Sequence, residues 1–297
     1  MTQSNNKLKS FLKTLVTTYK NWNDNEPFQM SAAVSYYALF SFPALLIIII
    51  QTTGLFYEKQ EVKGKIIREI GEVLGSDASK TVEAMLKNAI DQEQSTLVII
   101  IGIITLLYGA TGMFIALQKS LNTIWKVKPK PKSEILKMIK DRIFSLGLIL
   151  MIGFLLLTSL VLTALITATT EWIGQHFPDF IVSAIKALNF IFSLILTTVL
   201  FALIFKILPD VKIRWKDVWL GAFVTTVLFS IGKSALGIYF GTVNPGSTFG
   251  AAGSVILILL WVSYSSLILF FGAEFTRVLA SKYGSGIQPA SYAERIS

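Results

Sequence analysis

Residues 180–206 read FIVSAIKALNFIFSLILTTVLFALIFK, and only Lys186 and Lys206 carry charge in that stretch. An α-helix rises about 1.5 Å per residue, and a bilayer core needs roughly 20 apolar residues per helical crossing. The stretch therefore predicts a membrane-spanning helix. Five more blocks of the same kind lie at 30–56, 95–117, 143–169, 218–240 and 251–278. Over the 297 residues, 53% are hydrophobic and 15% charged; the mean hydropathy is +0.62. Ordinary soluble domains carry about 25% charged residues. The predicted class is all-α: a polytopic membrane protein with six transmembrane helices, an amphipathic N-terminal helix and an extracytoplasmic helical hairpin.

The N-terminal helix is read from residues 7–20. Leu8, Phe11, Leu12, Leu15, Val16 and Tyr19 recur at helical spacing while Lys9, Lys13 and Lys20 take other positions. Such a helix lies in the membrane interface or packs under the spans. Residues 1–29 hold no apolar core of the kind a signal peptide needs, so no cleavable leader is expected. The hairpin is read from residues 58–94, which hold six Lys/Arg and eight Asp/Glu. Gly75-Ser76-Asp77 can end one of its helices and cap the next. The organisation expected is a cytoplasmic segment at 1–29, a membrane domain at 30–280 and a tail at 281–297.

Orientation follows from Lys/Arg in the loops. The N-terminal segment holds four, loop 118–142 eight, segment 206–217 four and the C-terminal part three. The alternate loops hold six, none and none. The predicted location is a bacterial inner membrane, multi-pass, with both termini in the cytoplasm. Orientation accounts for most of the net charge of +9, and no nucleic-acid partner is called for. With no cysteine and a single histidine, His176, thiolate and multi-histidine metal sites are excluded.

Motifs of chemistry are absent: no HExxH, no GxGxxG after a strand, no P-loop. Gly232-Lys233-Ser234 resembles the end of a P-loop, but Val227 stands where its first glycine belongs. The chain is read as a non-enzyme with no cofactor and no metal.

The candidate residues lie in the spans. Ser35, Tyr36, Tyr37 and Ser41 make the first span polar, and Pro43 removes a backbone hydrogen bond within it. These residues line a central cavity or bond neighbouring helices. Lys233 falls roughly 10 Å below the outer boundary and Lys186 roughly 8–9 Å, with Asn189 on the same face as Lys186. An ionisable group at such depth marks a ligand path or snorkels to the interface. Trp261 lies about 15 Å into its span and is expected to face other helices. Glu274, near the inner end of the last span, is expected to pair with Arg277 or a basic loop residue. Gln118 and Asn122 share a helix face and suit a bridge between helices.

Several stretches together resemble a known family. They are Ala32-Ala33-Val34-Ser35-Tyr36-Tyr37-Ala38-Leu39-Phe40-Ser41-Phe42-Pro43, Leu121-Asn122-Thr123-Ile124-Trp125, Leu208-Pro209, Gly250-Ala251-Ala252-Gly253-Ser254, Leu260-Trp261-Val262-Ser263-Tyr264 and Gly272-Ala273-Glu274. Over about residues 20–280 the chain is similar to the YihY/BrkB family of bacterial inner-membrane proteins. Phe249 departs from it, standing where a tyrosine is common. The resemblance implies six helices in one bundle. It brings no catalytic residues, since the ribonuclease BN label once attached to the family is a misassignment. It links one branch to serum resistance and some members to moving lipids. The function expected is a transporter or flippase-like protein for a lipid-like or anionic amphipathic substrate. The alternative is a non-transporting membrane scaffold or cell-envelope assembly factor. The partners considered are membrane lipids, a second copy of the chain and an envelope protein.

Overall fold

The computed structural model describes residues 2–53, 96–130, 179–243, 253–284 and 286–296, with scattered positions between 63 and 83. The span expected at 143–169, the loop between the fifth and sixth blocks beyond Val243 and nearly all of the hairpin at 58–94 lie outside the described residues.

Six long helices make up most of what is described: α1 (Thr2–Asp24), α2 (Pro27–Thr53), α3 (Thr96–Ile124), α4 (Asp179–Ile207), α5 (Trp215–Val243) and α6 (Gly253–Tyr283). Among the described residues, Ser183–Ile207, Trp215–Phe240 and Val255–Tyr283 are long and apolar enough to cross a membrane. The described part of each expected block is helical, with the helices at 96–124 and 253–283 running seven and five residues past the expected ends, because unbroken apolar length leaves the backbone no partner but itself. Pro27 sits at the first position of α2, where a missing N–H costs nothing. The helix continues through position 43, so Pro43 does not end it.

α6 is the hub. It packs against α2 and α5, and more lightly against α1 and α3; α2 also packs on α3, and α5 on α4. Small residues let these helices approach. A Cβ on Gly109 would stand 2.9 Å from the backbone nitrogen of Ser41, and one on Gly112 would overlap the Tyr37 ring. Hydroxyls bridge the seams: Ser31 Oγ lies 3.0 Å from Ser263 Oγ between α2 and α6, and Thr198 donates to Thr226 at 3.1 Å between α4 and α5. In lipid, such packing and hydrogen bonding replace the hydrophobic drive between helices.

The main core gathers at the end of the bundle that carries both chain termini. It contains Leu121, Ile124 and Trp125 of α3, Phe201 and Phe205 of α4, Val218 and Ala222 of α5, and Phe270 and Ala273 of α6. A smaller cluster of Phe240, Leu257 and Ile258 lies at the other end.

Among the described residues the all-α expectation holds for the bulk but omits four short strands. β1 (Val127–Pro129) pairs antiparallel with β4 (Ala293–Arg295), and β2 (Val211–Lys212) with β3 (Gln288–Pro289). The stretch after α6, expected as a tail, is thus drawn back across the loops. Gly286 adopts φ +75° just before β3, a left-handed conformation that glycine enters freely.

Candidate functional site

Three groups of polar residues occupy the terminal end of the bundle, each built by the ends of helices.

The first centres on Asp210, which follows Pro209 at the end of α4 and is 3% exposed. Asn122 Nδ2 donates to Asp210 Oδ2 at 2.8 Å, and Gln118 Nε2 donates to Oδ1 at 3.2 Å. The backbone N–H of Asp210 returns a bond to Asn122 Oδ1 at 2.8 Å, and its carbonyl accepts from Ala290 N at 3.0 Å. Gln118 and Asn122 meet one carboxylate because residues four apart share a helix face. Asp210 therefore joins the end of α4 to α3 through its carboxylate and to the segment just after β3 through its backbone carbonyl. Asp210 was not read from the sequence. The signal available was the pair of amides on one face of α3, which needs a partner.

The second is Glu274 on α6, fully buried, with Arg277 one turn on. Arg277 Nε donates to Oε2 at 3.0 Å and Nη2 to Oε1. A two-point bond of this kind is strong and directional, and the partner is the one expected.

The third is a groove where α1 crosses the ends of α5 and α6. Its volume is about 690 Å³, and its lining includes the apolar Phe11, Leu220 and Leu279 and the polar Ser10, Lys216 and Tyr283. Ser10 Oγ lies 2.7 Å from Tyr283 Oη. Lys282 donates to Ser10 Oγ at 3.0 Å and to Thr14 Oγ1 at 3.2 Å, tying α6 to α1. Phe11 meets Phe275 edge-on at 6.3 Å. A second cavity of about 520 Å³ on the other side of that tie takes in Lys13 and Lys282.

Among the described side chains, the residues singled out from the sequence do not form one cluster. Ser35 and Ser41 are buried and donate to carbonyls of their own helix, Ser31 O at 2.8 Å and Ala38 O at 3.1 Å. Tyr36 is exposed and packs on Tyr37 and Phe40, while Tyr37 is half-buried over Gly112. Pro43 is helical, and its side chain lies outside the described residues, as does that of Lys186. Asn189 is half-buried on α4, and Lys233 is exposed on α5. Trp261 does face another helix, its ring 6.1 Å from Phe229 of α5. Nearby on α6, the buried hydroxyl of Ser265 has no partner among the described residues. Among those residues no group of three His, Cys, Asp or Glu could hold a metal.

Three relatives share the pattern of the chain. A UPF0761 membrane protein of Haemophilus influenzae is 25% identical over 264 residues, covering 88% of this chain and 93% of that protein. One of Mannheimia succiniciproducens is 24% identical over 266 residues, covering 88% and 87%. One of Pseudomonas paraeruginosa is 26% identical over 254 residues, and the match spans 84% of this chain but 59% of that longer protein. No solved structure matches. The family described as "Virulence factor BrkB" matches residues 18–297. With that match running over nearly the whole chain, and with helices of membrane-crossing length beneath it, the protein belongs to the BrkB family of integral membrane proteins.

Proposed function

We propose that the chain crosses the inner membrane six times with both termini in the cytoplasm, and moves a lipid-like or anionic amphipathic molecule without an ATPase of its own. The basic residues support the orientation: Lys126, Lys128, Lys130, Lys212, Arg214, Lys216 and Lys282 all sit on loops, strands or helix ends at the terminal end. The observation that carries the transport reading is Lys233. It stands in the interior of a helix of membrane-crossing length, on its exposed side. An ammonium there is costly unless it serves a path for an anion or reaches the interface. No catalytic step is part of the proposal.

The test is reconstitution into vesicles containing a headgroup-labelled phosphatidylglycerol, followed by bleaching from outside. Transport predicts label loss beyond half of the signal, faster than in protein-free vesicles, and slowed about tenfold in Lys233→Met. Equal rates with and without protein would remove the transport reading. The second reading, a scaffold or envelope assembly factor working with a partner protein or a second copy, draws on the close α5–α6 seam. There Thr276 and Thr225 fill the space over Gly221 and Gly272.

A further inference from the structure

We propose that the groove between α1, α5 and α6 is a seat for one anionic phospholipid. Its phosphate is held by Lys216 and the Tyr283 hydroxyl, with Lys282 of the adjoining cavity next to them, and an acyl chain runs along Leu220 and Phe223 of α5. This site is separate from Lys233 and stands whether or not the chain moves lipid.

Three observations lead to it. The first is uncompensated charge. Among the described residues the ammonium of Lys282 meets no carboxylate: it bonds the neutral oxygens of Ser10 and Thr14 and lies 5.0 Å over the Tyr283 ring. Neither Lys216 nor Lys13 has an acidic partner among the described residues, and the one carboxylate at the rim, Asp217, is already bonded by Arg214 at 3.3 Å. Three lysines around two adjoining cavities therefore leave positive charge unanswered, and an oxyanion is the complement. The Tyr283 hydroxyl, with Ser10 beside it, adds a donor of the kind a phosphate ester accepts.

The second is shape. About 690 Å³ falls in the usual range of pockets for small molecules. Its lining sets Ser10, Lys216 and Tyr283 beside the apolar Phe11, Leu220 and Leu279. That mixture suits an amphiphile and not a free ion. From Leu220 the apolar surface continues outward on α5 through Phe223, Val227 and Ile231, all exposed and spaced three or four residues apart. An acyl chain can follow that stripe.

The third is depth. Trp215 and Trp219 flank Lys216 on α5, both exposed, their rings 6.2 Å apart. Exposed tryptophans at a helix end mark the headgroup level of a bilayer. The lysines of the groove then sit where lipid phosphates lie.

The experiment uses the full chain purified in mixed micelles, with bound lipid read by native mass spectrometry at equal phosphatidylglycerol and phosphatidylcholine. Phosphatidylglycerol should be retained about tenfold over phosphatidylcholine. The K216Q/K282Q variant should lose about tenfold in phosphatidylglycerol retention. K20Q/K212Q, which removes the same charge at the same end but outside the groove, should lose less than twofold. Equal retention of the two lipids, or equal loss in both variants, overturns the proposal. So does binding of inorganic phosphate as tight as that of phosphatidylglycerol, which would make the site one for a free oxyanion. A measurement on the unsubstituted protein removes dependence on the folding of variants. Phosphatidylglycerol with brominated chains, at low mole fraction, should quench tryptophan fluorescence more than brominated phosphatidylcholine does. No difference between the two overturns the seat. Loss of the Lys233→Met effect on transport with intact lipid retention would overturn the transport reading alone.

Discussion

Asn122 and Asp210 hold each other by two hydrogen bonds, from the amide to the carboxylate and from the Asp210 backbone N–H to the amide oxygen, both 2.8 Å. The pair lies 88 residues apart in sequence and is buried. Asn122→Ala removes a donor and an acceptor at once, leaving a buried carboxylate with Gln118 and a buried N–H with nothing in exchange. Loss of about 2–4 kcal/mol is expected, since stranding a buried charged acceptor costs more than a neutral bond contributes. Asn122→Asp should cost more than Asn122→Ala, because it buries a second carboxyl against the first. Thermal unfolding in detergent checks both.

At the α5–α6 seam Thr276 lies over Gly221, while Thr225 lies over Gly272. Each threonine bonds the carbonyl of the glycine four residues before it on its own helix, both at 2.7 Å. A methyl at Gly221 would overlap the Thr276 side chain. Gly221→Ala is expected to cost about 1–3 kcal/mol by overpacking. Adding Thr276→Gly should recover part of that loss, less about 1 kcal/mol for glycine in a helix. A double-mutant cycle of unfolding midpoints reads the coupling. Strict additivity would show that the two residues are not in contact.

Removing Arg277 tests the buried pair on α6. Arg277→Met leaves Glu274 charged and fully enclosed, at a cost of about 3–5 kcal/mol. Glu274→Gln with Arg277→Met should be less harmful than Arg277→Met alone, because no uncompensated charge is then buried. Expression yield and monodispersity of the three variants rank them.

The clasp between β1 and β4 should loosen in acid. Lys130, 3.0 Å away, and Lys128, at 3.2 Å, hold the exposed Glu294 carboxyl below its usual range. A lowered folded pKa gives stability that is present above the unfolded value and lost as pH falls through the folded one. The contribution is small because the groups are solvated. Cleavage of the last strand by an acid-active protease should therefore rise below the usual carboxylate range. Glu294→Gln should make that cleavage less dependent on pH.

The helices were legible because their cause is local. The block read at 180–206 is Asp179–Ile207 in the structure, and that at 251–278 is Gly253–Tyr283. The Glu274–Arg277 pair was legible too, since residues three apart share a helix face. Asp210 was not. It stands in a short loop with no periodic neighbour, and its partners arrive from α3 and from the residue just after β3. The groove was hidden for the same reason. Lys216 and Lys282 counted only as charges that orient the chain, and nothing in the linear order places Ser10 against Tyr283, 273 residues away.

By itself, then, the sequence determined the number and length of the apolar blocks, the segments between them in which the basic residues gather and the family pattern of small and aromatic residues. Each rests on composition within one segment or its immediate flanks. Only the tertiary structure decided which helices touch, that the C-terminal residues return as strands to the loops, and that Asp210, Asn122 and Ala290 meet. Those contacts join segments far apart in the chain, and they exist because buried polar groups must find partners once the helices pack.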